Sequence, residues 1–213
     1  MRESLRILDL FSGAGGAAWG IHLACKAAGV PHEIVGVDIV NQPRYPFQFR
    51  LADAMHYPLG GFDFIWASPP CQSYSSAMRH LAAPRLMLID AMRKRLEECG
   101  TAWVIENVLG ARMRNWFWLC GTQFGMRVHR HRLIESPYIF ILQSPCDKTV
   151  NILNPHRAKS RDRIYREFGK QDPEKLWGKE MGVGWMNRQE TREAVPPAYS
   201  EFIFKQWLNQ AGR

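Results

Sequence analysis

Near its start the chain reads Leu5-Arg6-Ile7-Leu8-Asp9-Leu10-Phe11, then Ser12-Gly13-Ala14-Gly15-Gly16, then an alanine-rich stretch from Ala17 to Ala28 that Gly29 stops. An apolar strand followed by a glycine turn and a helix is the opening half of a βαβ unit. Glu33 to Val37 supplies the next strand and ends at Asp38. A unit of this kind commits the chain to an α/β fold with a mostly parallel sheet and helices on both faces. Glycines between strand and helix let the backbone approach a nucleotide closely. Asp38 follows them at about the distance a ribose-binding carboxylate requires. The turn lacks the sixth-position glycine of the dinucleotide fingerprint, which favours a nucleoside cofactor without a pyrophosphate.

The alternation continues. Leu51-Ala52-Asp53-Ala54 reads as the end of a third strand and Phe62 to Ala67 as a fourth. Arg85 to Glu98 is an amphipathic packing helix capped by Gly100, and Thr101 to Ile105 is a fifth strand. The fourth strand runs into Ser68-Pro69-Pro70-Cys71-Gln72. Two prolines can neither extend a sheet nor start a helix freely, so Cys71 is placed on a stiff turn at a strand's carboxyl end, where open α/β sheets carry their chemistry. An isolated cysteine is ordinarily a small buried hydrophobe; the Pro-Pro before it and the polar Gln-Ser-Tyr-Ser after it point instead to an exposed nucleophile. The fifth strand brings Glu106-Asn107-Val108 to the same edge. Met126 to Ile134 is expected to form a strand whose alternation sends Arg130 and Arg132 to one face. Thr191 to Leu208 reads as a helix started or kinked at Pro196-Pro197, with Tyr199, Phe202 and Trp207 packing on the sheet.

With 213 residues and 46% hydrophobic content the chain can bury a sizeable core. No apolar run approaches the ~18 residues of a membrane span, and no signal peptide is evident, so a cytoplasmic protein acting as a monomer is expected. The five cysteines are widely spaced without a Cys-x-x-Cys pair, and His129 and His131 have no third ligand near them in sequence. No metal site is therefore expected. The net charge of +8 favours a polyanionic partner. Three parts are expected: a catalytic and cofactor-binding core over 1–142, a small basic segment over 143–179, and a segment returning to the core over 180–213. Basic residues in the middle part suit either solvated surface or phosphate contact.

A positioned thiolate, an acid from the neighbouring strand, a nucleoside pocket and a basic surface together describe attack on an electron-poor ring within a nucleic acid. In this combination and order the sequence resembles the cytosine-5 DNA methyltransferases. The matching pieces are Asp9 to Gly16, Gly36-Val37-Asp38, Asp53-Ala54, Ser68 to Gln72, Glu106-Asn107-Val108, Arg130-His131-Arg132 and the stretch around Ala194-Val195-Pro196. The resemblance implies an S-adenosylmethionine-dependent, Rossmann-like enzyme acting on double-stranded DNA. It implies Cys71 as the nucleophile that adds to carbon 6 of a flipped-out cytosine, Glu106 as the acid at ring nitrogen 3, and Arg130 and Arg132 steadying the base and backbone. For the cofactor it implies Phe11 at the adenine, Gly13, Gly15 and Gly16 under the methionine part, Asp38 and Ile39 at the ribose edge, Asp53 and Ala54 at the adenine amino group, and Pro70 between cofactor and base. The chain departs from the family pattern at Val128, where glutamine is frequent, and at Arg192-Glu193, where Gly-Asn is frequent. Its target-recognition segment is also short, which implies a short or relaxed recognition sequence. A catalytically silent DNA-binding relative and a methyltransferase acting on transfer RNA are the competing readings; a nicotinamide oxidoreductase explains the glycine turn but leaves Cys71 idle.

Overall fold

A computed structural model describes residues 4–70, 88–139, 145–154, 167 and 171–212. Among them, β1 (Leu5–Leu10), β2 (His32–Asp38), β3 (Gln48–Leu51), β4 (Phe64–Ala67), β5 (Ala102–Asn107), β6 (Phe117–Leu119) and β7 (Arg132–Glu135) form one sheet. Its strand order is β3-β2-β1-β4-β5-β7-β6. The first five strands are parallel, and β7 is antiparallel to both β5 and β6. Between β1 and β4 the winding direction reverses, and a crevice at the carboxyl ends of such neighbours is the general ligand position of these sheets. Because β7 runs backwards, its amino end, Arg132, arrives at that same edge.

The strands alternate their buried residues between two helical layers. Ile7, Ile34, Phe64, Trp66, Val104 and Ile134 join the core shared with α1 (Gly16–Ala28) and α5 (Pro197–Gln210). Leu8, Val35, Ile65, Ala67, Trp103 and Ile105 pack with Ile89, Met92 and Leu96 of α2 (Leu88–Cys99). A strand buried on both faces reads as a continuous apolar run, which is why Phe64–Ala67 shows no alternation. On the first face α1 and α5 meet closely at Gly20, where a Cβ would stand 1.9 Å from the carbonyl of Pro197. Beside it the buried Ser200 hydroxyl donates to the Ala17 carbonyl at 2.8 Å. The aromatic rings of α5 then reach the sheet: Phe204 meets Phe64 edge-on at 4.9 Å between centroids and Trp207 lies 5.1 Å from Phe64, while Tyr199 is fully buried.

Two short helices, α3 (Pro173–Glu180) and α4 (Arg188–Glu193), precede α5. Asp172 caps α3 by accepting from Glu174 N, and Asn187 and Glu190 form a reciprocal capping box on α4. The expected helix from Thr191 is therefore two helices, separated where Ala194 to Pro196 is extended and proline at the first helical position restarts the turn. The strand expected over Met126 to Ile134 is shortened to Arg132–Glu135. Its partner β6 has only three residues, so the ladder ends at the Leu119 and Arg132 pair. Upstream, Arg127 gives its backbone N–H to Glu180 and its carbonyl to Leu153 N. No helix among the described residues is long and apolar enough to cross a membrane.

Candidate active site

Six chain segments converge at the carboxyl edge of the sheet. The glycine turn follows β1, where Phe11 (φ 56°) and Gly13 (φ 49°) both occupy the left-handed region. For phenylalanine that conformation costs of order 1–3 kcal/mol, and strain of this size concentrates at ligand-binding turns. The Gly13 N–H donates to Asp38 Oδ2 at 2.9 Å, and Val40 N donates to Oδ1 at 2.9 Å. Two backbone donors fix the carboxylate while each oxygen keeps a second lone pair for another donor. Beyond Asp38, Ile39 is 72% and Val40 61% exposed, and Leu51 on the neighbouring strand end is 64% exposed. Apolar side chains this open beside an oriented carboxylate suit a flat heterocycle joined to a diol. Asp53 holds the far side of this edge, accepting from Met55 N at 2.8 Å and pairing with His56 at 2.8 Å. The Met55 N–H and then His56 lower its pKa, so it is an ionised acceptor. Ala54 behind it is buried.

The three glycines serve different ends. Around Gly13 there is open space, as a ligand cradle requires. A Cβ on Gly15 would strike Pro46 at 2.6 Å and one on Gly16 the Val195 carbonyl at 2.3 Å. Gly15 and Gly16 therefore leave room for protein, whereas no atom of the described residues lies within 4 Å of where a Gly13 Cβ would stand. The turn is clamped from two sides, by Tyr45-Pro46 and by the segment before α5, where Trp185 Nε1 also donates to the Ala14 carbonyl at 3.1 Å. Tyr45 is buried over Gly36 and donates to Asp9 Oδ2 at 3.2 Å. Burial holds the Asp9 carboxyl well above the usual range, against the lowering effect of that hydrogen bond.

The second half of the site lies between β4, β5 and β7. Ala67 of β4 is in register with Ile105 of β5, so Ser68-Pro69-Pro70 leaves the sheet beside Glu106 and Asn107, the last two residues of β5. Trp66 Nε1 donates to the Ser68 hydroxyl at 3.0 Å. The Asn107 side chain donates to the Pro69 carbonyl at 2.9 Å and accepts from Val108 N at 2.9 Å. That bond ties the proline turn to the end of β5. Pro69 is buried and Pro70 exposed. Cys71 lies outside the described residues.

Glu106 is 5% exposed. Burial raises its pKa, opposed by the charge of Arg132, a hydrogen bond from Ser68 and the charge of Arg130. Arg132 Nε comes within 2.6 Å of Glu106 Oε1, yet among the described residues Oε1 has no partner at hydrogen-bonding geometry. The approach is thus a charge contact at a poor angle, and it leaves a buried carboxyl oxygen with hydrogen-bonding capacity to spare. A buried carboxyl whose pKa is raised by burial, with an oxygen still available, is suited to hydrogen-bond a ring nitrogen.

Of the two arginines expected to act together, the structure brings only Arg132 to Glu106. Arg130 precedes β7, and its guanidinium donates to the carbonyls of Arg192 and Ala194 and stacks over Trp177 at 5.5 Å. Its charge still reaches Glu106, but its hydrogen bonds hold the segment that carries Val195 against Gly16. Sequence reading missed Tyr45 and Trp185, whose roles depend on partners far along the chain, and it placed Ser68 within its motif without the hydrogen bond to Glu106. It also missed that Cys120 and Cys146 join His131: Nε2 of His131 lies 3.0 Å from Cys146 Sγ. Burial and the Cys120 thiol push the Cys146 thiol up to about 11.

No family model matches the chain. Over 137 residues, 51% of this chain, it is 29% identical to the type II methyltransferase M1.BsuMI of Bacillus subtilis (strain 168), and the match spans 32% of that protein. Among solved structures, the Dnmt2 methyltransferase of S. pombe superposes with a TM-score of 0.61 at 12% identity, covering 99% of this chain and 100% of that one. The Entamoeba histolytica methyltransferase EhMeth gives a TM-score of 0.65 at 12% identity, with 99% of each chain covered. The fold is accordingly the Rossmann-like α/β fold that these two methyltransferases share.

Proposed function

We propose that the protein is a DNA (cytosine-5-)-methyltransferase that uses S-adenosylmethionine. The observation that carries this reading is the Glu106 carboxyl, buried at the sheet's carboxyl edge, its pKa raised by that burial, and set between Ser68 of the proline turn and Arg132 of β7. Carbon 5 of cytosine is a poor nucleophile until a thiolate adds to carbon 6. Cys71, the residue after Pro70, is the thiolate in this reading. Glu106 hydrogen-bonds ring nitrogen 3, reading the Watson-Crick edge and drawing electron density from the ring as sulfur adds. Arg132 beside it favours the ionised thiol and neutralises charge building on the base. Phe11, Asp38, Ile39 and Asp53 hold the adenosine part of the cofactor, Gly13 lies under its methionine part, and Pro70 separates it from the base. Bound there, S-adenosylmethionine supplies the methyl group. The base must leave the duplex, at a cost of a few kcal/mol, before carbon 6 can be reached. The net charge of +8 supports phosphate contact as the main source of affinity, with a short site read by the small 143–179 segment.

The test is methyl transfer from labelled S-adenosylmethionine to duplex DNA and, in parallel, to RNA. Wild type methylates DNA at cytosine carbon 5, and Cys71→Ala abolishes turnover while keeping the fold and cofactor binding. Transfer by Cys71→Ala, or transfer to RNA alone, overturns the reading. Bisulfite sequencing of the product showing a strict site of six or more bases would refute the relaxed specificity.

A further inference from the structure

Cys120 follows the last residue of β6, His131 precedes β7, and Cys146 lies in the 145–154 stretch. Their ligand atoms, two sulfurs and one imidazole nitrogen, all lie within 4.8 Å of one another. We propose that Cys120, His131 and Cys146 form a zinc site that fastens the stretch beginning at Cys146 to the β6–β7 hairpin beside Arg132.

Two thiolates and an imidazole are a donor set that selects zinc over the oxygen-seeking divalent ions. Tetrahedral zinc, with bonds of about 2.3 Å to sulfur and about 2.0 Å to nitrogen, separates its ligand atoms by roughly 3.5–3.8 Å. The pair already measured at 3.0 Å and a limit of 4.8 Å for the set bracket that spacing, so closure on a metal needs shifts of order 1 Å, within the reach of side-chain rotation. The cluster is also built in place. The Trp118 ring meets His131 edge-on at 5.3 Å and fixes the imidazole plane. The Thr122 hydroxyl lies 3.3 Å from Cys120 Sγ and accepts from Asp147 N at 3.1 Å, which draws Cys146 onto the turn after β6. Cys120 is buried, whereas His131 and Cys146 are half-buried, so the fourth position falls at the open side. Water fills it, or the imidazole of His129, whose ring centroid is 5.7 Å from that of His131. The adjacent residue, Arg132, is the one that meets Glu106, so the metal would hold the arginine-bearing strand and the segment after Cys146 in one register.

The experiment uses the full chain, purified without an affinity metal and then titrated with zinc or cobalt. About one zinc per chain is expected, with intense thiolate-to-cobalt charge-transfer absorption and tetrahedral d–d bands on cobalt substitution. Chelation should lower the thermal midpoint. Cys146→Ser, at a half-buried position that tolerates the swap, should weaken metal binding by more than the ~10–100-fold that loss of even an outer partner costs. Absence of bound metal in the wild type, a Cys120–Cys146 disulfide in its place, or undiminished metal in Cys146→Ser would each overturn the proposal, and the metal content of the wild type decides even if a variant fails to fold.

Discussion

Replacing Asn107 with alanine tests how the proline turn is held. Asn107 is 2% exposed and spends both ends of its amide: the nitrogen on the Pro69 carbonyl and the oxygen on Val108 N, each at 2.9 Å. In Asn107→Ala the Pro69 carbonyl, on a buried residue, loses that donor, which costs about 1–3 kcal/mol. Val108 is half-buried, so its N–H can turn toward water and the added cost there is about 0.5–1 kcal/mol. A total near 2–3 kcal/mol is expected as a drop in unfolding free energy from urea titration. Function should suffer separately. Cys71, the proposed nucleophile, is two residues past Pro69, and a misplacement of about 1 Å at a reacting group costs on the order of 10²-fold in rate. Single-turnover methyl transfer should therefore fall about that much with cofactor affinity unchanged. Asn107→Asp, which keeps the Val108 bond but sets an acceptor against the Pro69 carbonyl, should be no better. A stability loss under about 0.5 kcal/mol with wild-type rate would refute the argument that this bond positions the nucleophile.

Glu106→Gln should slow methyl transfer by roughly 10²- to 10⁴-fold, the range for losing a positioned acid. Because burial raises the Glu106 pKa, its protonated form stabilises the fold at low pH, and that contribution is lost as pH rises through the folded value. Any acid-dependent activity fades in the same direction, and pH–rate profiles should show this limb in wild type and not in Glu106→Gln. Gly16→Ala places a Cβ 2.3 Å from the rigid Val195 carbonyl, so a loss of about 1–3 kcal/mol is expected in thermal or urea unfolding. Glu135 is paired with Arg93, which is 1% exposed, and also accepts from Arg114 N at 2.7 Å. Arg93 keeps Asp90 and the Arg112 carbonyl when Glu135 is removed, so Glu135→Ala should cost about 3 kcal/mol, the low end for breaking a buried pair, and the double change Arg93→Met with Glu135→Leu should recover much of it; an intact melting curve in the single variant would count against a structural ion pair.

Local chemistry wrote much of this protein into its sequence. Gly29 and Gly100 end helix-bearing segments at φ 66° and 68°, apolar runs became buried strands, and residues placed at strand ends (Asp38, Asp53, Pro70, Glu106) stand at one edge because parallel strands share a direction. Other features depend on partners far apart in the chain, and there tertiary structure decided. β6 is too short to announce itself, yet its three residues set where β7 begins and so removed Arg130 from the strand. Gly13, Gly15 and Gly16 look alike in sequence, but only packing against Pro46 and Val195 shows which of them leaves space open. Cys120, His131 and Cys146 carry no recognisable spacing, because only the folded chain brings their ligand atoms together, and burial, the property that raises the Glu106 pKa, exists only once the layers on both faces of the sheet have closed.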